Sequence, residues 1–82
     1  SYKWDVSNVE TMYCMFKECE NFNADLSKWD VSKLEDARYM FYECKSFNAN
    51  LNMWDISSVK TMKYMFDKCK SLKNKPVWYK NK

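Results

Sequence analysis

Glycine and histidine are both absent from these 82 residues, and proline occurs once, at Pro76. Glycine ordinarily makes up about 7% of a chain, and without it no phosphate-cradling loop of the Walker or Rossmann kind can form. The missing histidine removes the commonest general base and the commonest metal ligand together. Arginine appears only as Arg38, so the other 13 of the 14 basic residues are lysine, and the net charge of +3 is too small to argue for nucleic acid. No run approaches the roughly 18 apolar residues that would span a bilayer. The opening "SYKWD" reads as neither an initiator methionine nor a signal peptide, which suggests a mature form or an excised piece. Apolar residues are nevertheless plentiful, 46% of the chain with 18% aromatic, which argues against disorder. The length allows one domain with a core of marginal size.

What fills the chain is one phrase said three times. "KWDVSNVETMYCMFKEC" at 3–19 returns as "KWDVSKLEDARYMFYEC" at 28–44 and as "MWDISSVKTMKYMFDKC" at 53–69. The tryptophans Trp4, Trp29 and Trp54 stand 25 residues apart, as do the phenylalanines Phe16, Phe41 and Phe66 and the cysteines Cys19, Cys44 and Cys69. Asp5, Asp30 and Asp55 keep the same step, and so do Ser7, Ser32 and Ser57. A fixed period of this length predicts stacked coils, because one unit cannot bury its apolar face and three together can. The coils run over 4–28, 29–53 and 54–78, with a lysine-rich cap over 73–82.

Within a coil, Val9, Met12, Phe16 and Cys19 are spaced three, four and three apart, which predicts a helix of about three turns. Ser7 with Glu10, and Ser32 with Glu35, read as capping boxes at its start. In the third copy Lys60 replaces the glutamate, leaving Ser57 alone. Phe22, Ala24 and Leu26 then alternate with Asn23 and Asp25, which predicts a short strand. The expected fold is therefore an α/β, leucine-rich-repeat-like, right-handed solenoid of three 25-residue coils, each a short helix plus a short strand. Pro76 should interrupt the last strand.

The combination W-D-[VI]-S-x-[VL]-x-x-[MA]-x-x-M-F-x-x-C-x-[NS]-[FL], over residues 4 to about 79, resembles a bacterial surface-protein repeat family of mycoplasma-type lipoproteins, related to BspA-like leucine-rich repeats. The resemblance implies display on the cell surface or outside the cell, and adhesion or protein recognition rather than catalysis. No catalytic residues come with it, and no metal or cofactor is expected. The family commonly places glycine before the cysteine, whereas Glu18, Glu43 and Lys68 stand there here. The chain should then turn nearby, at Asn21, Ser46 and Ser71.

The recurring tryptophans, phenylalanines and cysteines read as structural ladders, with a tryptophan ligand cage as the alternative. For the cysteines the readings are packed free thiols, a disulfide, or zinc, with Cys14 the thiol expected to react first. The aspartates read as acceptors of corner amides, with calcium as the alternative. Candidate binding residues are those projecting between the inward strand positions, Asn23, Asp25, Asn48, Asn50, Lys73 and Lys75, together with Lys28. They would present a grid to a protein partner, unless the asparagines merely satisfy one another. The first coil holds two lysines against five acids, net −3, the second is net −1, and the third holds six lysines against two acids, net +4. That gradient admits head-to-tail self-association, with Val6, Val9, Met12 and Phe16 as the uncovered face. It also admits an alternative function, binding of polyanions (nucleic acid, anionic glycan or lipid headgroups) by the basic third coil.

Overall fold

Short hydrogen-bonded turns, not helices, join the inward-facing residues of this chain. The computed structural model describes residues 4–80. In the middle copy, backbone bonds of 3.0–3.3 Å run from Leu34 N to Val31 O, Met40 N to Ala37 O, Cys44 N to Phe41 O and Phe47 N to Cys44 O. All seven of these residues are buried. A four-residue turn brings its first and last residues close together, and here both ends of each turn face inward. Spacings of three therefore arise here from a string of turns.

Two of the turns in each copy contain a residue with positive φ. Cys14 and Glu18, at 58° and 62°, are the third residues of the turns 12–15 and 16–19. Tyr39 and Glu43 repeat this, at 57° and 56°, as do Tyr64 and Lys68, at 60° and 61°. A positive φ in the third place is the mark of a type II turn, where glycine is usual. Without glycine each such residue costs about 1–2 kcal/mol. The compensation is visible in the backbone. Amides of Met12, Cys14, Phe16 and Glu18 donate to carbonyls of Asp36, Arg38, Met40 and Tyr42, and those of Ala37, Tyr39, Phe41 and Glu43 donate to Thr61, Lys63, Met65 and Asp67. Each left-handed residue of the first two copies thus directs its N–H into the next copy.

This ladder overturns the expected leucine-rich-repeat-like solenoid of helix and strand coils. Among the described residues there is no helix, and the only strand-like pairing is a pair of isolated parallel bridges, Thr11 with Asp36 and Asp36 with Thr61. The chain forms a compact globule of 28 × 28 × 21 Å instead. A helix would spend the amides of 12–18 on its own carbonyls four residues back; here they are spent on the neighbouring copy. The capping boxes fall with the helices: the Ser7 and Ser32 hydroxyls donate to Asp5 and Asp30 at 2.6 Å. The turn expected at Asn21, Ser46 and Ser71 does not replace the glycine slot, because Glu18, Glu43 and Lys68 themselves take the left-handed conformation.

The segments expected as strands keep the side-chain alternation and lose the strand. Leu26 is buried and Asn23 and Asp25 are exposed. Yet the amide of Asn48 bonds to the side-chain oxygen of Asn23 at 2.8 Å, and that of Lys73 to Asn48 at 3.4 Å. A side-chain carbonyl takes the place that a backbone carbonyl would hold in a sheet. Pro76 is buried and opens the turn 76–79, where its missing N–H leaves no donor unsatisfied.

The core is a double column of rings. Phe16, Phe41 and Phe66 lie 5.5 Å apart between centroids and nearly parallel. Phe22 and Phe47 lie beside them, 4.1 Å from Phe16 and 4.3 Å from Phe41. Trp4 stacks on Trp29 at 6.4 Å, and Trp54 on Trp78 at 6.3 Å. The indole N–H of Trp54 donates to Leu26 O and that of Trp78 to Leu51 O, both at 2.9 Å, tying each ring to an earlier copy.

Candidate functional site

The side chains that project outward from 23–27 and 48–53 line one open depression of about 470 Å³. Asn23, Asp25, Asn48 and Asn50 all contribute, and Ser27 and Met53 join them. A second depression of about 210 Å³ shares Asn48 and Asn50 and continues through Asn52 to Asn74 and Pro76. Lys28, Lys73 and Lys75 are exposed and belong to neither lining.

The same polar groups also hold the backbone. Asp25 Oδ1 accepts the Ser27 amide at 3.0 Å, Asn50 Oδ1 the Asn52 amide at 2.9 Å, and Asn52 Oδ1 the Val77 amide at 2.8 Å. The hydrogen bond from Ser27 holds the Asp25 carboxyl below its ordinary pKa. The oxygens are thus spent on structure, and the side-chain amide nitrogens are what the asparagines offer to a ligand. Met53, 87% exposed, adds an apolar anchor that the sequence reading missed. Its signal was the break in the tryptophan motif, where "KWD" becomes "MWD".

The aspartate corners are occupied by their own serines. The amides of Ser7, Ser32 and Ser57 each donate to the preceding aspartate at 3.0 Å. The serine side-chain hydrogen bond is the main cause holding Asp5, Asp30 and Asp55 below the usual carboxyl pKa. Among the described residues no group of three or more histidines, cysteines, aspartates or glutamates could hold a metal ion.

All four cysteines are free thiols. Cys44 is buried, and its thiol donates to Phe16 O at 2.9 Å; Cys69 donates to Phe41 O at 3.0 Å. Burial pushes the Cys44 thiol up to about 12 and raises Cys69 as well. The ladder places each sulfur against the carbonyl of the copy before it. Cys19, which meets no such carbonyl among the described residues, is exposed, whereas Cys14 is half-buried. The most accessible thiol is therefore Cys19 and not Cys14.

A further face escaped the sequence reading because its residues change from copy to copy. Tyr39 lies tilted against Tyr64 at 5.1 Å, and Tyr13 meets Tyr39 edge-on at 6.1 Å. Lys17 lies over Tyr39 and Tyr42 at 5.5 and 5.7 Å, Arg38 over Tyr13 at 4.8 Å, and Lys68 over Tyr42 at 5.7 Å. A hydrogen bond with Tyr42 raises the Lys68 pKa. These rings are covered by cations, so the face is a set of cation–π contacts across copies more than an open platform.

Among the described residues no helix is long and apolar enough to cross a membrane. No curated protein and no solved structure matches the sequence. A family model described as "Mycoplasma protein of unknown function, DUF285" matches residues 2–79. That match carries the mycoplasma-type resemblance of the repeated motif and leaves its leucine-rich-repeat part without support. With nearly the whole chain matched, this protein belongs to the DUF285 family of Mycoplasma proteins of unknown function.

Proposed function

We propose that this chain is a non-enzymatic interaction module that recognises a protein partner through the asparagine-lined face. The observation that carries this reading is the pair of adjoining depressions, about 470 and 210 Å³, joined through Asn48 and Asn50. Amide donors held in place by their own oxygens, with Met53 exposed beside them, make a preorganised polar surface with one apolar anchor. Surface display and adhesion, shared with mycoplasma-type lipoproteins and BspA-like proteins as a mode of use and not as a fold, belong to the same proposal.

The second reading is electrostatic. The third copy holds six lysines against two acids, and Lys73 and Lys75 are exposed near the smaller depression. A polyanion bound there would lose affinity steeply with salt, whereas a shape-read protein surface depends on salt weakly. Labelled chain titrated against cell-surface proteins and against heparin separates the two. Met53→Glu should abolish protein binding, and Lys73→Glu with Lys75→Glu should leave it within about threefold. Binding that survives Met53→Glu, disappears in the double lysine variant and collapses with salt would replace the first reading by the second.

A further inference from the structure

The two ends of the molecule are complementary to each other. At the first copy, Trp4 is 60% exposed where Trp29 in the same slot is 6%, and Met15 is 38% exposed where Met40 is 0%. Tyr13 is exposed beside them. The carbonyls of Asp36, Arg38, Met40 and Tyr42 each accept an amide from the copy before. Their counterparts in the first copy, Thr11, Tyr13, Met15 and Lys17, receive no backbone amide among the described residues. Val6, Met12 and Phe16, expected from the sequence to lie uncovered, are buried. The open face is therefore made of a carbonyl row flanked by Trp4, Tyr13 and Met15.

The opposite end offers the reverse. A depression of about 340 Å³ is lined by Ile56, Val59, Met62, Val77, Trp78 and Lys80. In the middle copy the equivalent Val31, Leu34 and Ala37 are fully buried beneath the third copy, whereas Ile56 and Val59 remain partly exposed. The amides of Met62 and Lys68 correspond to those of Ala37 and Glu43, which bond to the third copy. Among the described residues they have no backbone carbonyl to bond. Carbonyls at one end thus match donors at the other, and the exposed Trp4, Tyr13 and Met15 match a hollow that offers Ile56, Val59 and Val77. The charges agree, net −3 on the first copy and net +4 on the third.

We propose that a second copy of this chain covers the first-copy face with its own third-copy face, so that molecules associate head to tail. This goes beyond the proposed function, which uses a different surface. A two-fold dimer would set like charge against like charge at either end, with carbonyls against carbonyls at the first copy or amides against amides at the third. A head-to-tail contact does neither, and it leaves one open end on each side. Growth therefore continues past the dimer.

Two single variants test the contact. Trp4→Lys sets a cation against the basic end, and Val77→Glu sets an anion against the acidic end; Val77 is largely exposed, so Val77→Glu should keep the parent melting temperature, whereas Trp4→Lys should lower it by what the stack on Trp29 contributes and still unfold cooperatively. In sedimentation at low salt, the parent chain should form a concentration-dependent series of species. Each variant alone should sediment as a monomer. An equimolar mixture should form a dimer and stop there, because only the acidic end of Val77→Glu and the basic end of Trp4→Lys remain intact. Raising salt several-fold should weaken association by about tenfold, through screening. A parent chain that stays monomeric at every concentration overturns the proposal. So does a Trp4→Lys variant that associates like the parent, or a mixture that stays monomeric.

Discussion

The first and middle copies share the tryptophan, methionine, phenylalanine and cysteine slots, yet only the middle one is sealed. Met40 and Trp29 are buried where Met15 and Trp4 are exposed, and Cys44 is buried where Cys19 is exposed. The thiol of Cys44 has a carbonyl to bond because Phe16 lies in the copy before it; among the described residues no such carbonyl meets Cys19. Residue type decides which side of the wall a residue belongs to. The neighbouring copy decides whether that side is covered.

The sharpest way to break this comparison is to empty the phenylalanine column. Phe41 touches rings of Phe16, Phe22, Phe47 and Phe66, whereas Phe16 touches those of Phe22, Trp29 and Phe41. Phe41→Ala should cost about 3–5 kcal/mol in urea unfolding, and Phe16→Ala should cost less. Equal losses would mean that coverage by two neighbours adds nothing.

The thiols sharpen the same contrast by chemistry. Alkylation of the native protein should label Cys19 first and leave Cys44 untouched until unfolding. Mild reductant should not shift the melting temperature, because no disulfide exists to be reduced. A raised thiol pKa means that the folded state holds its proton more tightly than the unfolded chain does. Stability from Cys44 is therefore full below the ordinary value of 9.0 and is lost as pH climbs toward about 12. A Cys44→Ala variant should lose less stability over that range, and an unchanged alkaline profile would count against the buried thiol.

A smaller effect is expected at the strained turns. Glu43→Gly should stabilise by about 1 kcal/mol, because glycine takes a φ of 56° without the Cβ clash. Glu35→Gly, at a position with no positive φ, should destabilise instead. Thermal melts of the two variants read the difference directly.

The aspartate corners should show the smallest change. Their depressed pKa values place the contribution above pH 3.8, from which it declines as pH falls toward the folded values. Asp30→Asn should make the melting temperature slightly less sensitive to pH between 5 and 2 (a window of about three units around the carboxyl range). A steeper acid dependence in the variant would show that the corner is not held by the charged carboxylate.

The sequence alone determined the period of 25, the columns of tryptophan, phenylalanine and cysteine, and the outward grid of asparagines. Repetition at a fixed step places like residues side by side whatever the backbone does between them. It could not determine that backbone. Val9, Met12 and Phe16 at spacings of three and four fit one side of a helix, and they fit equally a string of turns whose ends all point inward. The two differ in where the amides of Met12, Cys14, Phe16 and Glu18 go, four residues back or 24 residues on, and only the packed neighbour provides the second acceptor. The asparagines followed the same rule, since the role of the Asn23 carbonyl was fixed by the Asn48 amide of the next copy. Local spacing chose the inward residues, and the carbonyls of an adjacent copy chose the turns over the helix.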